Sequence, residues 1–249
     1  MGRRKGGRGD NALDVLPSPP AALDASWVTW PAERPIHRIH QDRFEGVEFN
    51  PGLKGNARFS PIQDADEKPI STLYGGSTFD CAAMETVFHD VPHTAGTKIY
   101  DKGKLMNQLH SQLVPTQPLQ LVDLRSVALR KLGVTRKQLI DTEKDQYPKT
   151  RSWAVALHDQ CPDAQGLLWT SRQDDSAQAI MLFGDRVKPG VLEQCDDSLS
   201  LVAHEPTYDA VLDLAERIGV DVIPATSSSP FAQPIPTVHR PAKVRRGRE

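Results

Sequence analysis

The sequence predicts an α+β fold for a body spanning residues 27–225, and three observations carry that prediction. Short alternating or apolar segments recur at strand length. Longer segments carry apolar residues at helical spacing. The two kinds are interspersed without the regular strand–helix–strand alternation of a doubly wound sheet. With 249 residues, 38% hydrophobic and 25% charged, the chain has the composition of an ordinary globular protein and can bury a sizeable core.

The elements follow in chain order. Residues 35–40 alternate apolar and polar, the pattern of a half-buried strand. Residues 50–69 are rich in Pro, Gly and Asn and read as turns. Residues 70–74 form a second strand, with Gly75-Gly76 as its turn. Ser77 and Asp80 then resemble a capping box, predicting a helix over residues 78–89 that stops before Pro92. Residues 119–124 are a strand, 127–131 a helical turn, 135–142 a short helix and 150–160 a longer one. Two apolar strands follow, 166–171 and 179–183, joined by a polar loop. A last helix over 208–218 is closed by Gly219.

The ends differ from the body. Residues 1–26 are rich in Gly, Arg and Pro, and residues 226–249 in Ser, Pro and Arg, so both are expected to be disordered or loosely docked tails. Residues 1–9 and residues 240–249 each carry a net charge of +4, so residues 10–239 carry −10 against the chain's −2. Neither tail interleaves aromatics with its charges, so they read as solvated termini rather than a nucleic-acid surface. No apolar run approaches a membrane span, and the N-terminus has no apolar signal core. Cys81, Cys161 and Cys195, odd in number and widely spaced, argue against a disulfide framework, so a cytoplasmic setting is expected.

Several chemistries lack their motifs: no P-loop, no dinucleotide-binding Gly-x-Gly-x-x-Gly, no nucleophile elbow and no zinc His-Glu-x-x-His. Pro92 separates His89 from His93, so no metal site is expected there. Cys81 reads as a small wall residue rather than a nucleophile, for want of a cationic neighbour.

What stands out is a scattered set of polar residues. Arg38 lies on the first strand, Arg58 and Phe59 in a turn, Tyr74 at a strand end, Glu85 on the helix and Ser171 at the end of a later strand. Taken singly, each has an ordinary structural reading. Glu85 projects opposite the helix stripe of Phe79, Ala83, Met84, Val87 and Phe88, as a solvated residue does. Only the small Cys81 and Ala82 beside it leave room for a ligand.

Together these stretches resemble the RES domain family, named for an Arg, a Glu and a Ser. The resemblance runs over roughly residues 35–190. It rests on Arg38-Ile39; on Gly55-Asn56-Ala57-Arg58-Phe59-Ser60; on Tyr74 with Glu85 eleven residues on; and on Gly166-Leu167-Leu168-Trp169-Thr170-Ser171 followed by an apolar strand. The turn departs from the family's usual Gly-Gly-Arg-Trp, and the stretches from Arg58 to Tyr74 and from Glu85 to Ser171 are longer than usual.

The resemblance implies a fold like that of ADP-ribosyltransferases, a split and mainly antiparallel sheet with flanking helices. It implies degradation of NAD+ by phosphorolysis or hydrolysis, with NAD+ as substrate and no further cofactor. It also implies an Xre-type antitoxin as partner. Arg58, Tyr74 and Glu85 would be catalytic, and Arg38, Phe59 and Ser171 would bind NAD+, Ser171 by supporting the ribose, the amide or Glu85. Guanidinium suits the pyrophosphate. A carboxylate suits the cation that develops on the ribose. Flat aromatics suit the nicotinamide ring. ADP-ribosyl transfer to a protein or small molecule, and a non-enzymatic binding module with basic tails, remain as other readings.

Overall fold

The computed structural model describes residues 15–225; the basic segments 1–9 and 240–249 lie outside the described residues. The strands and helices, in chain order, are β1 (Trp27–Trp30), β2 (Ile36–Gln41), β3 (Ile62–Gln63), β4 (Pro69–Ile70), β5 (Thr72–Gly76), α1 (Phe79–Thr86), β6 (Lys98–Asp101), β7 (Gln108–Pro115), β8 (Leu119–Asp123), α2 (Arg136–Leu139), α3 (Tyr147–Gln160), β9 (Gly166–Thr170), β10 (Gln178–Phe183), β11 (Leu192–Gln194), β12 (Leu199–Ser200), α4 (Glu205–Arg217) and β13 (Val220–Ile223).

Among the described residues, nine strands form one mainly antiparallel sheet in the order β1-β8-β9-β10-β5-β2-β7-β11, with β12 also pairing β7. The exception is β8 beside β9, which run parallel. A parallel pair needs a crossover, and α2 and α3 supply it. β6 and β13 form a separate parallel pair, and β3 and β4 a small antiparallel one. The α+β class read from the sequence is the class observed.

Burial on both faces explains why β9 and β10 read as nearly continuous apolar runs. Leu167, Trp169, Ala179, Met181 and Phe183 pack into one cluster with α3. Leu168, Ile180 and Leu182 pack on the opposite face with Trp30 and Leu113. A third cluster joins α1 to α4, with Met84, Phe88, Leu201 and Leu214 at its centre. Among the described residues, no helix is long and apolar enough to cross a membrane.

The centre of the sheet holds the feature that matters for the site. β5 and β2 meet at one register pair, His37 with Gly76, whereas β2 and β7 pair over six residues. Gly75 and Gly76 are the last residues of β5, not the turn expected from their composition. A Cβ on Gly75 would lie 2.4 Å from Ile36 Cγ2, and one on Gly76 would lie 2.8 Å from Cys81 Sγ. Two absent side chains therefore let β2 and α1 close on β5.

Helix α1 is shorter than expected. Thr78, rather than Ser77, is its N-cap and accepts from Cys81 N at 3.0 Å. Ser77 Oγ instead accepts from Gln178 N on β10. The helix ends at Thr86, three residues short of the expected end.

The packed body begins ahead of Trp27. Leu16 is buried, Trp153 Nε1 donates to Pro17 O at 2.7 Å, and Leu23 N donates to Gln160 Oε1 at 2.8 Å. Residues from Leu16 to Leu23 thus lie along α3. Residues 1–14 and 226–249 are outside the described region.

Candidate active site

A cavity of about 370 Å3 opens at the β2–β5 junction, lined by Ile39 of β2, Tyr74 of β5, Glu85 of α1, Trp169 of β9 and the turn carrying Arg58. Residues 27, 111 and 84 positions apart along the chain are thus brought to one wall by the sheet.

The Arg58 turn is fixed through its backbone. Thr150 Oγ1, fully buried on α3, donates to Arg58 O. Arg151 Nε donates to Ala57 O at 3.2 Å, and its Nη2 donates to Asn56 Oδ1. Phe59 N donates to Tyr74 Oη at 3.2 Å. The Arg58 side chain, by contrast, has no acceptor among the described residues. It is only 5% exposed, and its Nε and Nη2 are buried and unpaired. Its guanidinium carbon sits 5.7 Å from the Tyr147 ring centroid. A buried cation without a carboxylate is costly, and this one lines the cavity.

Glu85 shows the complementary arrangement. Its Oε1 accepts from Ser171 Oγ at 2.7 Å and from Arg172 N at 3.1 Å. Oε2 has no hydrogen-bond partner among the described residues, and the residue lines the cavity. The solvated reading of Glu85 therefore gives way to a cleft reading: the side opposite the apolar stripe of α1 faces the β9 end and the cavity.

Ser171 is fully buried and does not line the cavity. Its one hydroxyl proton goes to Glu85, while its oxygen accepts from Gln173 N and Asp174 N, each at 3.0 Å. It holds the carboxylate from behind, which is the Glu85 support among the roles expected of it. Arg136 steadies the same strand end, donating to Thr170 O and Ser171 O at 3.3 and 2.9 Å.

Phe59 also departs from expectation. It is fully buried and packs edge-on against Trp169, with centroids 5.2 Å apart. The core has taken it, and Trp169 and Tyr147 supply the aromatic wall in its place. Trp169 was visible inside the Gly166–Ser171 stretch but carried no distinguishing signal. Tyr147 is the first residue of α3, ahead of the helix start the sequence suggested, and was missed with it.

Arg38 lies next door. It is 7% exposed, and its Nη1 donates to Gly46 O and Glu48 O at 2.6 and 2.7 Å. It lines an adjoining cleft rather than the Glu85 cavity. Burial draws its pKa down to about 10, with Glu48 pulling the other way, so it stays charged at neutral pH.

Burial pushes the Tyr74 phenol up to about 12, against hydrogen bonds at Ser60 and Phe59 and the Arg58 charge. It is therefore a neutral hydroxyl, not a base. The Cys81 thiol is likewise pushed up to about 12 by burial, with Glu85 and Asp174 adding to it, so it remains protonated and unreactive.

The RES domain family model matches residues 34–204, most of the chain. The chain belongs to the RES domain family. No curated protein matches it at significance. The family region starts just ahead of β2 and ends before α4, so it takes in Arg38, Arg58, Tyr74, Glu85 and Ser171 together. The RES family is associated with toxin activity related to NAD+.

Proposed function

We propose that this RES domain protein cleaves the nicotinamide–ribose bond of NAD+, transferring the ADP-ribosyl group to phosphate or water. One observation carries the reading: an unpaired buried guanidinium and a half-satisfied carboxylate share one cavity. A ligand that completes both must present an anion to Arg58 and a hydroxyl or developing cation to Glu85. NAD+ presents its pyrophosphate and its nicotinamide ribose.

In this mechanism Arg58 binds a phosphate oxygen of the pyrophosphate, gaining the acceptor it lacks within the protein. Arg38, held by the 42–48 loop, adds charge on the side of the adjoining cleft. The nicotinamide lies within the Trp169 and Tyr147 wall, with the neutral Tyr74 hydroxyl available to orient it. As the N-glycosidic bond lengthens, the electron pair leaves with nicotinamide and positive charge develops on the ribose. Glu85 Oε2 stabilises that charge and accepts from a ribose hydroxyl. Ser171 Oγ and Arg172 N keep Oε1 fixed, so the carboxylate need not reorganise. Phosphate or water then adds to the anomeric carbon.

By family, we further propose that the activity belongs to a toxin neutralised by an Xre-type partner covering the cleft. The deciding experiment is NAD+ turnover with and without inorganic phosphate, for the parent and for Glu85→Gln. Release of nicotinamide by the parent and its loss in the variant support the reading. Parental turnover by Glu85→Gln overturns it. The second product, ADP-ribose or its 1″-phosphate, names the acceptor.

A further inference from the structure

The Glu85 cavity has a neighbour across Tyr74. A second cleft of about 1090 Å3 shares Ile39, Tyr74 and Thr86 with it, so the two adjoin along those residues. Their chemistry differs. Arg38, Arg43 and Lys54 line the second cleft, and no Asp or Glu does. In a body that is otherwise acidic, that selection of charge is a local exception. Arg43 and Lys54 have no ion-pair partner among the described residues. Arg38, more than nine-tenths buried, uses Nη1 on the Gly46 and Glu48 carbonyls, and its other side-chain nitrogens have no acceptor among the described residues. Those two bonds also brace the loop that carries Arg43 and Phe44. Phe44 lines the cleft too, with the Arg43 guanidinium carbon 4.8 Å from its ring centroid.

Unpaired cations beside a flat aromatic suit a phosphate attached to a nucleobase: guanidinium and ammonium take the anion, and the ring takes the base by stacking. We propose that this cleft is a subsite for the second nucleotide half of the substrate, with Arg43, Lys54 and Phe44 recognising a nucleoside monophosphate. The inference rests on the NAD+ reading for the identity of that half, the adenylate. Its consequence is selectivity. The protein acts on the dinucleotide and discriminates against nicotinamide mononucleotide, which fills the Glu85 cavity and leaves the second cleft empty.

The test uses the full-length chain. Turnover of NAD+ and of nicotinamide mononucleotide is compared for the parent and for Arg43→Ala/Lys54→Ala, two exposed loop positions whose loss should leave the melting temperature in place. The parent is expected to favour NAD+ by at least about tenfold in kcat/KM, and the double variant to shrink that ratio through KM. Equal use of both substrates by the parent, or an unchanged ratio in the variant, overturns the subsite. Calorimetry with adenosine monophosphate, and separately with adenosine and inorganic phosphate, needs no turnover. The monophosphate should bind more tightly than either fragment, and the double variant should lose at least about tenfold in Kd. If neither substrate is consumed but the monophosphate binds in this way, the cleavage reading fails and the subsite stands. If NAD+ is consumed and the monophosphate does not bind, the subsite fails and the cleavage reading stands.

Discussion

Ser171 Oγ donates to Glu85 Oε1 at 2.7 Å, across 86 positions of sequence. The bond ties the end of β9 to the last turn of α1 and leaves only Oε2 of the carboxylate open. Ser171→Ala should therefore lower kcat for NAD+ by about 10- to 100-fold, the value of a hydrogen bond to a charged group, with KM nearly unchanged. A rise in KM with kcat intact would instead place the hydroxyl on the substrate.

Arg58 is a buried cation with no carboxylate partner among the described residues. Arg58→Leu should weaken NAD+ binding by at least about tenfold and at the same time raise the melting temperature of the ligand-free protein, because an unpaired buried charge is removed. Calorimetry and thermal melts read the two effects separately. A variant that binds normally, or melts lower, contradicts the assignment.

Phe59 provides the contrast, since it sits one residue from Arg58 yet belongs to the core. Phe59→Ala should cost about 3–5 kcal/mol of stability by opening a cavity beside Trp169. Denaturant unfolding measures this. Phe59→Leu, which keeps most of the volume, should retain the parental KM.

The stacked pair His37 and His110, with Nδ1 and Nε2 3.0 Å apart, gives the fold a pH dependence. Burial, with His37 and His40 adding to it, holds His110 down at about 4, and His37 and His40 are also lowered, chiefly by burial. Depressed folded values mean that the unfolded chain takes up protons first. Stability is therefore full above about pH 6.5, the ordinary histidine value, and falls as the pH drops from there towards 4. Urea midpoints between pH 7.5 and 4.5 should show this decline, and His110→Gln should flatten it.

The parts of the fold legible in the sequence were β8, β9 and β10 by their apolar runs, and β2 by its alternation, although β2 is buried on both faces rather than half-buried. β7, the longest strand, was invisible because His110 and Ser111 are buried polar residues within it. Their partners, His37, His40 and Ser198, come from elsewhere in the chain, and no local pattern reveals such pairs. In the site, Arg58, Tyr74 and Glu85 were found and converge on one cavity. Ser171 was found but stands behind Glu85. Phe59 was misplaced because an aromatic beside a candidate arginine looks the same in sequence whether it faces ligand or core. The support given by Thr150 and Arg151 to the Arg58 turn left no trace at all, since it depends on where α3 lies against that turn.

The single-pair junction between β5 and β2 has a mechanical consequence. Few main-chain bonds span the floor of the groove, so its aperture is set by how closely backbones approach where Gly75, Gly76 and Ala82 carry little or nothing. One methyl group at position 75 would act as a wedge driven against Ile36, prising the two arms of the sheet apart and moving Ile39 relative to Glu85. The width of the cavity is thus written in missing atoms.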